Sequence, residues 1–250
     1  MKLYLDIGNT MLKCGLDNDC DIKFLFRIFS NEIEDKFLIT LNKFINLDEV
    51  DEIIISSVVP HKLNFIKKIL KDKKIYVISP LDNSNINLKI DDPKELGSDL
   101  FCDLVGAKDK YDGDLLIVDL GTVSKFLYLD NQGTFSSCAF TPGIGMSLKM
   151  MSNQTALLPD TSIKDHKKLI DCHNTVDVLT SSAYYSHVSM VNGIIKEYLK
   201  EINQPTKIIL TGGNGELLKD TLEFEYIFDE YLCLYGMKII TMLRREKNED

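Results

Sequence analysis

The chain has 250 residues, 44% hydrophobic and 27% charged, enough to bury a sizeable core in one large domain or two smaller ones. Its net charge of −9 argues against a sequence-nonspecific nucleic-acid binder, which needs a basic excess. No apolar run approaches the ~18 residues that mark a membrane span, and the first apolar stretch is broken by Asp6 and carries one lysine, so neither a span nor a secretory leader is expected and the cytoplasm is the expected location.

In chain order, Lys2 to Asp6, Met11 to Leu16 and Lys23 to Phe29 read as three strands, with turn chemistry at Asp17-Asn18-Asp19. Ser30 or Asn31 starts a helix, Asn31 and Glu34 having capping-box spacing, with Ile33, Phe37, Leu38, Leu41, Phe44 and Ile45 at helical intervals. Ile53 to Val59 is a continuous apolar run suited to a buried parallel strand, closed by Pro60. A helix over His61 to Lys71, ending in a solvated run at Lys67, Lys68, Lys71, Lys73 and Lys74, precedes a strand at Ile75 to Ser79. Leu81 to Pro93 reads as a long loop, and Ser98 to Lys110 as a helix with Phe101, Leu104, Val105 and Ala107 inward. The order then restarts with strands at Leu115 to Asp119, Lys125 to Leu129 and Thr134 to Phe140, the last two joined by a turn at Asp130 to Gly133. A turn through Pro142 to Gly145 leads to a helix over Met146 to Gln154, and Leu157 to Cys172 is irregular. A long helix follows Asn174-Thr175, broken or closely packed at Gly193. Strands at Lys207 to Leu210 and Tyr226 to Asp229 and a closing helix at Leu232 to Arg245 complete the chain. Each half opens with a three-strand meander and continues in helix and strand alternation. This places two α/β domains at 1–113 and 114–250, leaving the closing helix able to pack back on the first.

Two turns repeat. Asp6-Ile7-Gly8-Asn9-Thr10 and Asp119-Leu120-Gly121-Thr122 each follow an apolar strand. Glycine there lets the backbone approach a phosphate, and a carboxylate beside a polyphosphate makes sense only with Mg²⁺ between them. With the third glycine turn at Thr211-Gly212-Gly213, the pattern points to a nucleotide cleft. Neither a Walker A motif nor a G-x-S-x-G elbow is present. Asp99, where Gly97-Ser98 enters a helix, fits either a carboxylate receiving a hydroxyl proton or a helix-capping residue. Lys13 fits a phosphate contact or a surface lysine. The cysteines Cys14, Cys20, Cys102, Cys138, Cys172 and Cys233 lack C-x-x-C spacing and read as buried reduced thiols, and Cys172-His173 alone makes no metal site.

The ordered set Asp6-Ile7-Gly8-Asn9-Thr10, Ser56-Ser57-Val58-Val59-Pro60, Gly97-Ser98-Asp99, Asp119-x-Gly121-Thr122, Pro142-Gly143, Asn174-Thr175 and Thr211-Gly212-Gly213 resembles the type III pantothenate kinases over nearly the whole chain. The resemblance implies the acetate and sugar kinase, heat-shock cognate and actin superfamily. Its members have two ribonuclease-H-like domains, mixed five-stranded sheets flanked by helices, and ATP in the cleft between them. It implies phosphorylation of pantothenate to 4′-phosphopantothenate, the first step toward coenzyme A, by a homodimer. Asp6, Ile7, Gly8, Asn9, Thr10, Met11, Leu12 and Lys13 would line the ATP phosphates, with Asp6 near Mg²⁺, and Thr122, Gly212 and Gly213 would also meet ATP. Asp119 would hold a monovalent cation, K⁺ or NH₄⁺. Asp99 would be the catalytic base, and Gly97, Ser98, Asp99, Leu100, Thr175 and Ile90 would lie on the pantothenate side.

The sequence departs from the family where arginine usually follows Asp99, here Leu100, and where a tyrosine is expected seven residues before Gly97, here Ile90. Losing a charge-assisted contact costs about 1.5–3 kcal/mol, roughly 10- to 150-fold in binding. Val123-Ser124-Lys125 also replaces the small and hydroxyl residues that the family favours after Thr122, and Lys125 has no role in the pattern. The alternatives are therefore a related small-alcohol kinase with an altered pocket and a non-catalytic nucleotide-binding regulator of the same fold.

Overall fold

The structure, a computed structural model, describes residues 1–17, 22–163 and 165–249, side chains at 219 and 245–249 excepted. Cys20 and most of the expected Asp17-Asn18-Asp19 turn lie outside the described residues. The strands are β1 (Lys2–Ile7), β2 (Met11–Asp17), β3 (Ile22–Phe29), β4 (Glu52–Ser57), β5 (Lys74–Val77), β6 (Asn87–Leu88), β7 (Asp114–Leu120), β8 (Val123–Leu129), β9 (Thr134–Pro142), β10 (Thr206–Thr211) and β11 (Tyr226–Phe228). The helices are α1 (Ile33–Leu41), α2 (Pro60–Ile69), α3 (Ser98–Lys110), α4 (Ile144–Gln154), α5 (Thr175–Ile202), α6 (Gly215–Leu218) and α7 (Leu232–Glu249). Contacts divide the chain into two compact units: Met1–Asp112 with Asn131–Ser136 and Tyr231–Asp250, and Gly113–Asp130 with Ser137–Glu230.

The first unit carries a sheet in the order β3-β2-β1-β4-β5. β1 pairs antiparallel with β2 and parallel with β4, so its six residues are enclosed and all are buried. β4 is covered on both faces, which is why its sequence is apolar without alternation. The core gathers Leu3, Leu5, Ile53 and Ile55 of the sheet with Ile33, Phe37 and Leu41 of α1 and Ile66 of α2. Pro60 occupies the first position of α2, where its missing N–H is no loss.

Three expectations fail in this unit for tertiary reasons. Ser30–Glu32 form a 3₁₀ turn before α1, and no side chain caps either segment. Glu34 instead pairs with Lys62 of α2 at 2.5 Å, a partner far away in sequence. Phe44 lies beyond α1 and is exposed. The segment expected as a continuous loop contains β6, which pairs with the opening residues of β9, Asn87 with Thr134 and Leu88 with Phe135. Of the lysine run, Lys73 donates to Val50 O at 3.3 Å and Lys74 pairs with Glu52 at 3.2 Å.

The second unit runs β11-β10-β7-β8-β9, with β7 at the centre and buried along its length; β6 at the far edge makes the whole sheet six-stranded, not five. Leu116, Val118, Leu120 and Phe126 pack beneath Leu148 of α4 and Leu179, Val191 and Ile195 of α5. Asn174 caps α5 by accepting from Asp177 N at 2.9 Å, and Asn203 ends it in the left-handed conformation (φ 52). Gly193 neither breaks α5 nor admits a close neighbour, since nothing lies within 4 Å of a Cβ built there. α4 starts at Ile144, two residues before the expected start, with Gly143 at its N-terminal boundary. Buried His187 lies 3.1 Å from Ser124 Oγ, and burial lowers its pKa, favouring the neutral ring. Cys14, Cys102 and Cys233 are buried thiols, whereas Cys138 is exposed and Cys172 half-buried, correcting the uniform expectation. Among the described residues, no helix is long and apolar enough to cross a membrane.

Candidate active site

In the first unit, Asp6 stands near the end of β1, in register with Lys13 on β2 and Ser56 on β4. It is 8% exposed, and the chain then emerges at Asn9 and Thr10, where an anion could approach. The turn is tied down from inside. Gly8 N donates to Met11 O at 3.0 Å, and Ser30, directly after β3, donates its N–H to Thr10 O (2.8 Å) and its hydroxyl to Gly8 O (2.6 Å). The sequence marked Ser30 only as a candidate helix start, because a lone serine after a strand belongs to no turn-bracing motif. Ile7 and Leu12 are buried core residues that hold the hairpin in shape, while Met11 and Lys13 are half-buried.

The same unit joins two motifs that are forty residues apart. Ser98, 7% exposed, accepts from Ser57 N at 3.0 Å, lies 3.1 Å from Ser56 Oγ and reaches Ser57 O at 3.3 Å. One hydroxyl thus docks the start of α3 onto the end of β4. Asp99 follows in the first turn of α3, half-buried, with Oδ1 accepting from Leu100 N at 2.9 Å. Gly97 gives this carboxylate room, because a Cβ there would collide with Asp99 Oδ1. Leu100 is 4% exposed and belongs to the core, while Ile90 is half-buried.

In the second unit, Asp119 on β7 is in register with Lys125 on β8 and Thr211 on β10. Lys125 Nζ donates to Asp119 Oδ2 at 2.7 Å, which accounts for the lysine that the sequence left without a role. The pairing was hidden because it depends on the strand register across the Gly121-Thr122 turn. Gly212, with φ +92, brings the third glycine turn against Asp119 so closely that a Cβ would strike Oδ1 and the Leu120 backbone. Asn214 completes the clasp, its backbone N–H donating to Leu120 O (2.8 Å) and its side chain to Gly121 O (2.9 Å). Asn214 was overlooked, although its place directly after Gly212-Gly213 was a usable signal. Gly143 N donates to Thr122 O at 3.0 Å, so the Pro142-Gly143 motif also folds onto this turn. Thr122 is half-buried, Gly213 exposed, and Thr175 exposed at the first position of α5. Among the described residues, no cluster of three or more His, Cys, Asp or Glu side chains is arranged to hold a metal.

These two braced Asp-x-Gly turns, with a carboxylate at a helix start, invite comparison with known proteins. A family model described as type III pantothenate kinase matches residues 2–197. The chain belongs to the type III pantothenate kinases. The type III pantothenate kinase of Bifidobacterium longum subsp. infantis is 30% identical over 250 residues, covering 96% of this chain and 98% of that protein. The one from Acholeplasma laidlawii is 31% identical over 243 residues, covering 95% and 96%. The fold is shared with component A of (R)-2-hydroxyglutaryl-CoA dehydratase from Acidaminococcus fermentans, at TM-score 0.52 and 12% identity over 97% of this chain and 98% of that one. The chain is thus a mixed α/β enzyme that uses ATP to phosphorylate pantothenate in coenzyme A biosynthesis.

Proposed function

We propose that Asp99 is the general base of this reaction. Its carboxylate takes the proton of the primary hydroxyl of pantothenate as that oxygen bonds to the γ-phosphorus of ATP. The bond from that phosphorus to the bridging oxygen breaks, leaving ADP and 4′-phosphopantothenate. Such a transfer asks the protein mainly for positioning and charge neutralisation. The observation that carries the assignment is Ser98, whose hydroxyl fastens the first turn of α3 to β4 and so fixes where Asp99 stands. Ser98 is then a positioning residue rather than a substrate contact. Ser98→Ala leaves the half-buried Ser57 N–H without this acceptor, so it should cost about 1 kcal/mol of stability and about tenfold or more in kcat, with the KM for ATP little changed. A folded Ser98→Ala protein with unchanged kcat would contradict the assignment.

The other roles follow the two turns. Asp6 to Lys13 serve the ATP phosphates through the exposed Asn9-Thr10 stretch and the Lys13 charge, and Thr122, Gly212 and Gly213 serve ATP from the second turn. Asp6 is a hard oxygen donor suited to Mg²⁺, which when bound neutralises charge on the phosphate oxygens and usually takes only one or two protein carboxylates. Gly97 and Thr175 serve the pantothenate side, where half-buried Ile90 stands in place of the usual tyrosine and Leu100, a core side chain, supplies none of the donors of the usual arginine. The two compact units correspond to the two actin-like domains. The reaction belongs to the cytoplasm, a setting supported by the free thiols of the five described cysteines. The working form is a homodimer. That reading is supported by exposed apolar side chains concentrated over residues 140–178, among them Phe140, Met150, Leu157, Ile170 and Val176. Light scattering should give twice the chain mass, and a monomer mass at assay concentration would refute the dimer.

A further inference from the structure

Both units carry the same three-residue arrangement on their central strands. Asp6 lies in register between Lys13 on the antiparallel neighbour and Ser56 on the parallel one. Asp119 lies between Lys125 on the antiparallel neighbour and Thr211 on the parallel one. The internal repeat therefore places a lysine beside the turn carboxylate twice.

The second copy bears on the monovalent cation that the family resemblance implies at Asp119. Lys125 Nζ sits 2.7 Å from Asp119 Oδ2, with the two side chains only 17% and 13% exposed. The other oxygen, Oδ1, is packed against Gly212, where even a Cβ would collide. A K⁺ or NH₄⁺ ion would have to share a carboxylate that already holds an ammonium, at a separation where like charges repel strongly in a poorly solvated site. The residues present do not fit that ion.

We propose that Lys125 is a built-in replacement for the monovalent cation, so that this enzyme turns over without K⁺ or NH₄⁺. A lysine ammonium is a compact positive charge with three N–H donors on a flexible stem. Held in register by β8, it supplies next to the Gly121-Thr122 turn the charge that a diffusible ion would otherwise bring, at any salt composition. The inference rests on reading the Asp119 turn as part of the ATP site.

The test compares wild type, Lys125→Ser and Lys125→Met in KCl, NH₄Cl and choline chloride at one ionic strength. Two quantities are read: pantothenate-dependent ADP release, and the melting temperature with MgADP. Wild-type rates should agree within about twofold across the salts, since the charge is covalent. Lys125→Ser, which opens space beside Asp119, should fall about tenfold or more in choline and recover in KCl or NH₄Cl. Lys125→Met fills that space without charge and should fall in all three salts. Only Lys125→Ser should melt higher in K⁺ or NH₄⁺ than in choline. A wild-type rate that needs K⁺ or NH₄⁺ overturns the proposal, as does a Lys125→Ser protein with no cation response in either readout. Absence of pantothenate-dependent turnover by wild type in every salt would count against the kinase reading instead. The melting temperatures alone would then decide the cation proposal.

Discussion

Replacing Asp99 by asparagine should lower pantothenate-dependent ADP release by about 10²- to 10⁴-fold, the usual contribution of a positioned general base. The fold should survive, because an asparagine Oδ1 can still accept the Leu100 N–H that Asp99 Oδ1 accepts at 2.9 Å. Shape and helix start are kept, and the proton acceptor is lost. Since the ATP-handling residues are untouched, the KM for ATP should stay close to that of wild type while kcat collapses. Steady-state kinetics on both proteins, with thermal melts as a control for folding, give the answer. A variant with wild-type kcat would remove Asp99 from the chemistry and reduce it to a residue of the helix start.

The largest effect on stability is expected from Gly236→Ala. α7 crosses α3 at a point where Gly236 meets Gly106, and a Cβ at Gly236 would collide with the carbonyl oxygen of Cys102 and come within 3.0 Å of Gly106 N. Both obstacles are backbone, so no rotamer change relieves the clash and the helices must move apart. α7 buries Leu232, Leu234, Met237 and Ile240, and these side chains lose packing together if it lifts. Overpacking of this kind costs about 3 kcal/mol or more, a large share of the ~5–15 kcal/mol that holds a domain folded. Urea unfolding should show a midpoint lowered accordingly, with an unchanged slope. An unaltered midpoint would mean that the two helices do not meet at these glycines.

What could be read from the sequence follows what is local. The apolar runs of β1, β4 and β7 announced themselves because strands enclosed on both faces have no polar side to interrupt them. α3 runs over Ser98–Lys110 as expected, since its inward residues recur at helical spacing. The Asn31 and Glu34 pattern misled because Glu34 found Lys62, a tertiary partner that no local motif contains. β6 was missed because two residues of strand carry no periodicity. At the site, the motifs were visible but their fastenings were not. The Ser98 contacts with Ser56 and Ser57 span some forty residues, Asn214 reaches back to Gly121, and Lys125 meets Asp119 only through strand register. Leu100, read as a lost substrate contact, is a core side chain.

Coupled ADP release by the purified protein with MgATP, in the presence and absence of pantothenate, tests the central claim most directly. Release that depends on pantothenate, with 4′-phosphopantothenate identified by mass, is the predicted result. ATP binding with no stimulation by pantothenate would contradict it and point to another substrate.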